Sequence, residues 1–321
     1  MTRGVGVTEL LTELPTAVIV LFAVLTQLGD FWFVSTASLL LYWLGSATPW
    51  LGRGLTRERG AMLVGLVATA AAVGFALKGV FAFPRPPNSE IVAAAADLPW
   101  PVEPFYESVV TGQGYGFPSG HATTSVLVWG GFAWALRVGT RRQRYAVAAA
   151  VVAVVSLSRL VLGVHYLVDV VAGAAIAAAT LWLVLTRLQT PTRVFALVTV
   201  VALVGVVAGG LTRDTAGVLG MGVGGLVAWT ALDGVPAPTR RGGVVTTALG
   251  GVSLGTIGLV VVTLSPQDAV VGILAAAGTG IALSLPLVGE RVTKKAVVVA
   301  AVRTSRGTGR VPTGRRRRGS P

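Results

Sequence analysis

Apolar residues run through this chain in long blocks, not in alternation. Ten such blocks are visible, at about Pro15–Leu28, Phe31–Leu51, Met62–Phe83, Ser119–Arg137, Tyr145–Leu162, Val164–Thr186, 194–212, 215–235, 244–264 and 269–288. Most are long enough for a helix to cross a bilayer at 1.5 Å per residue. Gly29-Asp30 leaves almost no loop between the first two blocks, which predicts a tight helical hairpin there. Pro84 to Pro118 is the longest polar stretch before the tail, and loops of that length are usually functional or disordered. Within it Trp100, Phe105 and Tyr106 read as interfacial anchors. Gly163 marks a break between the fifth and sixth blocks. The pairs Gly205/Gly209, Gly220/Gly224 and Gly251/Gly255 are spaced for close helix approach. From about Val292 onward the chain is basic and polar, ends in GRRRRGSP, and reads as disordered.

Composition agrees with that pattern. The 321 residues are 53% hydrophobic and 12% charged, with mean hydropathy +0.76. Soluble domains carry roughly 25% charged residues. The expected fold class is all-α, a polytopic membrane helical bundle. No cysteine is present, which excludes disulfides and thiolate metal sites. No basic segment followed by a short apolar run and a small-residue cleavage site opens the chain, so no removable signal peptide is expected.

A net charge of +13 could point to nucleic acid, but the distribution of the charge points to a membrane surface. Of the 26 Lys and Arg residues, the ten-block count leaves only Lys78, Arg85, Arg159 and Arg213 on one side. The remainder fall on the other, where each near an anionic surface contributes about 1 kcal/mol. The positive-inside rule then places both termini in the cytoplasm and the four exceptions outside. No nucleic-acid partner is expected. Membrane lipids are.

Three of those four exceptions sit in segments that carry chemistry. SRLVLGVHYLVD, residues 158 to 169, sets Arg159, His165 and Asp169 in an apolar run. His165 and Asp169 are four apart and share a helical face, a spacing that lets a carboxylate fix one imidazole tautomer. The other histidine, His121, lies in FPSGHATTS, where Ser119 and Gly120 open a helix. Free N–H groups and the dipole of a helix N-terminus favour an anion there. KGVFAFPRP adds Lys78 and Arg85. Three cations at one end of the spans call for an anion, and the planar fork of arginine suits phosphate. With both imidazoles on one phosphate, His165 would attack phosphorus, and His121 would protonate the leaving oxygen and then activate water.

KGVFAFPRP, PSGH and SRLVLGVHYLVD resemble the three signature motifs of the type 2 phosphatidic acid phosphatase superfamily, K-x6-R-P, P-S-G-H and S-R-x5-H-x3-D, with every position filled. The resemblance covers roughly residues 15–187. It implies that Lys78, Arg85, Ser119, Gly120, His121 and Arg159 bind phosphate, that His165 is the nucleophile with Asp169 as its partner, and that His121 is the acid. It also implies a lipid phosphate substrate, such as phosphatidic acid, phosphatidylglycerol phosphate or a polyprenyl diphosphate, and no metal or other cofactor. The expected division is a six-helix phosphatase core over 1–190, about four further membrane helices over 191–290, and the tail over 291–321. Three other readings compete. One is lipid phosphotransfer at the same site. Another is a ten-helix transporter or lipid-binding scaffold, against which helices seven to ten carry no buried charge and no evident repeat of the first half. The third is a haloperoxidase, against which the membrane helices count.

Overall fold

The structure is a computed structural model and describes residues 6–11, 14–87, 89, 107, 111–232 and 234–307. Among these residues the fold is all-α, a polytopic helical bundle with no strand. The helices are α1 (Val7–Leu11), α2 (Thr16–Leu25), α3 (Phe31–Trp43), α4 (Arg57–Phe81), α5 (Gly120–Ala135) and α6 (Arg141–Val161). They continue with α7 (Leu167–Leu183), α8 (Pro191–Gly209), α9 (Arg213–Ala231), α10 (Arg240–Leu264) and α11 (Asp268–Gly307). Hydroxyls start many of them: Thr56, Thr140, Thr190, Thr212 and Thr239 each accept a backbone N–H from the first turn of the helix they precede.

Six helices are long and apolar enough to cross a membrane alone: α4, α6, α7, α8, α10 and α11. Residues 17–29 and 31–43 pass the same test only together, bent by 42° at Asp30. In place of the tight hairpin expected at Gly29-Asp30, the two helices meet at a bend of 42°. Asp30 does not reverse the chain. Its Oδ1 accepts the Trp32 amide at 3.2 Å and restarts the helix at 42° to the one before. α5 spans 16 residues, about 24 Å, so it falls short of a hydrocarbon layer of about 30 Å. It packs against α4, α6 and α7 in the centre of the bundle, and α9 lies along α8 and α11.

Thr8 in α1 donates its hydroxyl to the His165 carbonyl at 3.1 Å, at the end where α4 and α6 finish and α5 and α7 begin. The other end holds Trp43, whose indole N–H donates to Ala282 O at 2.8 Å, and the ion pair of Arg57 with Glu290. The described amino-terminal residues and the far part of α11 thus lie at opposite ends of the bundle. A second correction concerns the tail. α11 continues as helix through Gly307, so the first part of the segment expected to be disordered is helical. Trp100, Phe105 and Tyr106 lie outside the described residues.

Glycine makes the contact between the two halves close. A Cβ on Gly205 would meet Ala76 Cα at 3.3 Å, and one on Gly79 would meet Gly209 N at 3.1 Å. Gly220 and Gly224 lie still tighter against α11, where added Cβ atoms would fall 2.0 and 2.1 Å from the carbonyl oxygens of Gly272 and Ala276. Gly251 and Gly255 face nothing within 4 Å, so this third pair makes no such contact.

Candidate active site

The site is assembled at the ends of α4, α5, α6 and α7. Ser119 is fully buried, caps α5 by accepting the Ala122 amide at 3.5 Å, and donates its own amide to the Asp169 carbonyl at 2.9 Å. That bond fixes the N-terminus of α5 to the start of α7. Gly173 makes the approach possible, since a Cβ there would lie 2.8 Å from Ser119 O. Gly120 faces open space, and a Cβ on it would touch nothing within 4 Å.

His165 sits in the short turn between α6 and α7, 2% exposed, with Asp169 fully buried beside it. His165 Nδ1 is 3.6 Å from Asp169 Oδ2, and that oxygen also accepts the Tyr166 amide at 3.0 Å. The distance exceeds a normal hydrogen bond. On the other ring face, Arg85 Nη1 is 3.1 Å from His165 Nε2. Arginine can only donate, so Nε2 is the acceptor and the ring proton belongs on Nδ1, toward Asp169. Arg85 also donates to Gln113 O at 3.1 Å and to Val164 O at 2.9 Å. Burial, followed by the charges of Arg85, Arg159 and Lys78, holds the His165 imidazole well below its ordinary value, so it is neutral near pH 7.

Arg159 is 4% exposed and donates to Thr26 Oγ1 at 3.1 Å, which anchors the bend ahead of α3. His121 faces a cavity of about 480 Å³. Lys78, Gly120 and Asp30 share its wall. His121 Nε2 stands 3.5 Å from Asp30 Oδ2. Asp30 is a site residue that the motifs do not contain. Its signal in the sequence was a lone carboxylate between two apolar runs, where a turn explained it equally well. Among the described residues, no group of three or more His, Asp or Glu side chains is gathered closely enough to hold a metal ion.

The model of the PAP2 superfamily matches residues 59–193. Over that segment, which is less than half of the chain, the sequence is similar to the PAP2 superfamily. That superfamily's members are generally phosphatases, which supports a phosphoric ester hydrolase at a coarse level. The matched PAP2 segment runs from the first turn of α4 to the first turn of α8, so it holds all three motifs and leaves out Asp30 and helices α9 to α11. No curated protein and no solved structure matches the chain.

Proposed function

We propose that the chain hydrolyses a lipid phosphate through a phosphohistidine on His165, without a metal. The observation that carries this reading is the position of His165 between a pure donor, Arg85 on Nε2, and a pure acceptor, Asp169 near Nδ1. That polarity leaves the Nε2 lone pair as the nucleophile and gives the imidazolium formed on attack a carboxylate partner.

When the phosphate arrives, the Arg85 donor passes from Nε2 to a phosphate oxygen, joined by Arg159, Lys78 and the first amides of α5. Nε2 attacks phosphorus, the bond to the lipid oxygen breaks, and the leaving oxygen takes a proton from His121. In the second step His121 takes a proton from water, the oxygen attacks phosphorus, and the P–N bond breaks. Inorganic phosphate leaves and His165 is neutral again. Positioning and charge neutralisation do most of the work in phosphoryl transfer. Asp30 orients His121 and stabilises its protonated form.

The basic residues favour an extracytoplasmic site. The loops and helix ends on the far side carry Arg53, Arg57 and Arg59, then Arg137 to Arg144, Arg187, Arg193, Arg240 and Arg241. Purified protein in detergent is expected to release inorganic phosphate from phosphatidic acid in EDTA. His165→Ala is expected to abolish release. Turnover that requires Mg²⁺, or that survives the substitution, defeats the proposal.

A further inference from the structure

The cavity that reaches His121 is not closed by PAP2 helices alone. Its far wall belongs to α9 and α11, through Arg213, Asp214, Gly217, Met221, Val271 and Ala275. A second cavity of about 280 Å³ adjoins it, with Phe31, Met221 and Ala275 in the walls of both. It descends between α3, α4, α9, α10 and α11 as far as Thr279 and Ala282. From Val271 to Ala282 the path along α11 covers about 16 Å, which is half of a hydrocarbon layer of about 30 Å and so the depth of one leaflet.

The lining changes character along this path. Lys78, His121, Asp30, Arg213 and Asp214 stand at the site end. Below Phe31 it is apolar apart from Ser35, Ser38 and Thr279, and Thr279 gives its hydroxyl to Ala275 O at 2.9 Å. Glycine here has a different use from glycine at the helix contacts. A Cβ on Gly74, in the upper cavity, or on Gly258, in the lower one, would meet nothing within 4 Å, whereas one on Gly220 would fall 2.0 Å from Gly272 O. Gly74 and Gly258 leave width, and Gly220 allows contact. A space one leaflet deep, apolar at its base and charged at its mouth, matches a molecule with an aliphatic chain and an anionic end.

We propose that this seam holds the aliphatic chain, acyl or prenyl, of the lipid phosphate. The C-terminal helices α9 to α11 are then a part of substrate binding that sets chain-length preference. The assignment rests on the reading of His165 and His121 as a lipid phosphatase site.

The test uses the full chain with His165→Asn, which retains the phosphate, and phosphatidic acid carrying a photoactivatable diazirine near the end of one acyl chain. Crosslinks are expected on peptides covering residues 213–231 and 254–282. Excess unlabelled phosphatidic acid or farnesyl phosphate, whichever chain class fits, should compete. Adding Gly258→Trp should remove the crosslinks from residues 254–282. In the enzyme with His165 intact, Gly258→Trp, or Gly74→Leu should that variant fold poorly, is expected to raise KM for a long-chain phosphatidic acid about tenfold or more relative to a dihexanoyl one, because two or three methylenes lose their burial. Crosslinks confined to α2, α6 and α7, or an unchanged KM ratio in a folded variant, overturn the assignment. Seam labelling with no phosphate release from any lipid phosphate supports the seam and instead defeats the phosphatase reading.

Discussion

Asp30 holds two partners at once: its Oδ1 accepts the Trp32 amide at 3.2 Å and its Oδ2 stands 3.5 Å from His121 Nε2. The first contact starts α3 and the second meets the helix start that bears PSGH. The bend between α2 and α3 thus becomes a support for the second imidazole. The bend is stiffened from the other side, because Thr26 accepts from Arg159.

Removing the carboxylate charge should therefore slow the chemistry and spare binding. Asp30→Asn is expected to lower kcat by about 10–100-fold with little change in KM, the usual size of effect for a residue that orients a catalytic ligand. Asp30→Glu should restore part of it. Steady-state kinetics on a lipid phosphate in detergent checks the split. A rise in KM with kcat unchanged would assign Asp30 to binding.

Arg85 should not tolerate lysine. Its guanidinium bridges Gln113 O, Val164 O and His165 Nε2 from one planar group, and lysine offers a point charge with no fork. Arg85→Lys is expected to lose about 10²-fold in kcat/KM, and Arg85→Ala more. Acid-quenched labelling with ³²P substrate should show less phosphoenzyme in the same order.

The candidate site residues were easier to pick out from the sequence than the path of α2 and α3. Lys78, Arg85, Ser119, His121, Arg159, His165 and Asp169 stand out because ionisable and polar side chains in apolar runs are costly. The bend was misread because Gly29-Asp30 serves a reversal and a helix restart equally well, and only the packing of α2 on the end of α6 separates them. Periodicity also gave no hint that Met221 and Ala275 approach the site, since the contact depends on how α9 and α11 pack across α4. Gly220 and Gly224 were legible as contact glycines. Gly251 and Gly255 have the same spacing and touch nothing, so spacing alone does not distinguish contact from space.

Acid should destabilise the fold through His165. Its native imidazole is held below the ordinary value by burial and by Arg85, so between that depressed value and about 6.5 the unfolded chain binds a proton that the native chain does not. Stability therefore falls as pH drops through about 6.5, and stops falling on this account once the native ring protonates. Tm measured from pH 8 to pH 5 in detergent should decline less in His165→Asn than in the parent. Equal slopes would mean that other groups carry the dependence.

Gly173 should resist even a methyl group. A Cβ would lie 2.8 Å from Ser119 O and 3.1 Å from Thr123 Oγ1, both at the start of α5. Neither backbone can retreat without breaking the 2.9 Å bond from Ser119 N to Asp169 O. Gly173→Ala is expected to cost about 1–3 kcal/mol, typical of an overpacked core, and to reduce turnover by displacing the PSGH amides. Thermal unfolding and phosphate release should fall together.

At the far end of the bundle, Arg57 is expected to matter more to stability than its ion pair suggests. Its contact with Glu290 is long, at 4.0 Å, while its guanidinium also donates to the carbonyls of Tyr42, Trp43 and Pro236. Arg57 thereby ties the end of α3 to the loop ahead of α10, and Glu290 ties that loop to α11 through the amide and hydroxyl of Thr239 at 2.8 and 3.0 Å. Arg57→Ala strands a buried carboxylate and three carbonyls, so a loss of about 3–5 kcal/mol is expected. Glu290→Gln keeps an acceptor for Thr239 and leaves Arg57 on its carbonyls, so about 1 kcal/mol is expected. Reversible unfolding in mixed micelles measures both. If Glu290→Gln costs as much as Arg57→Ala, the charge pair and not the carbonyl bridge holds the C-terminal helices to α3, and the seam beneath Phe31 depends on that pair instead.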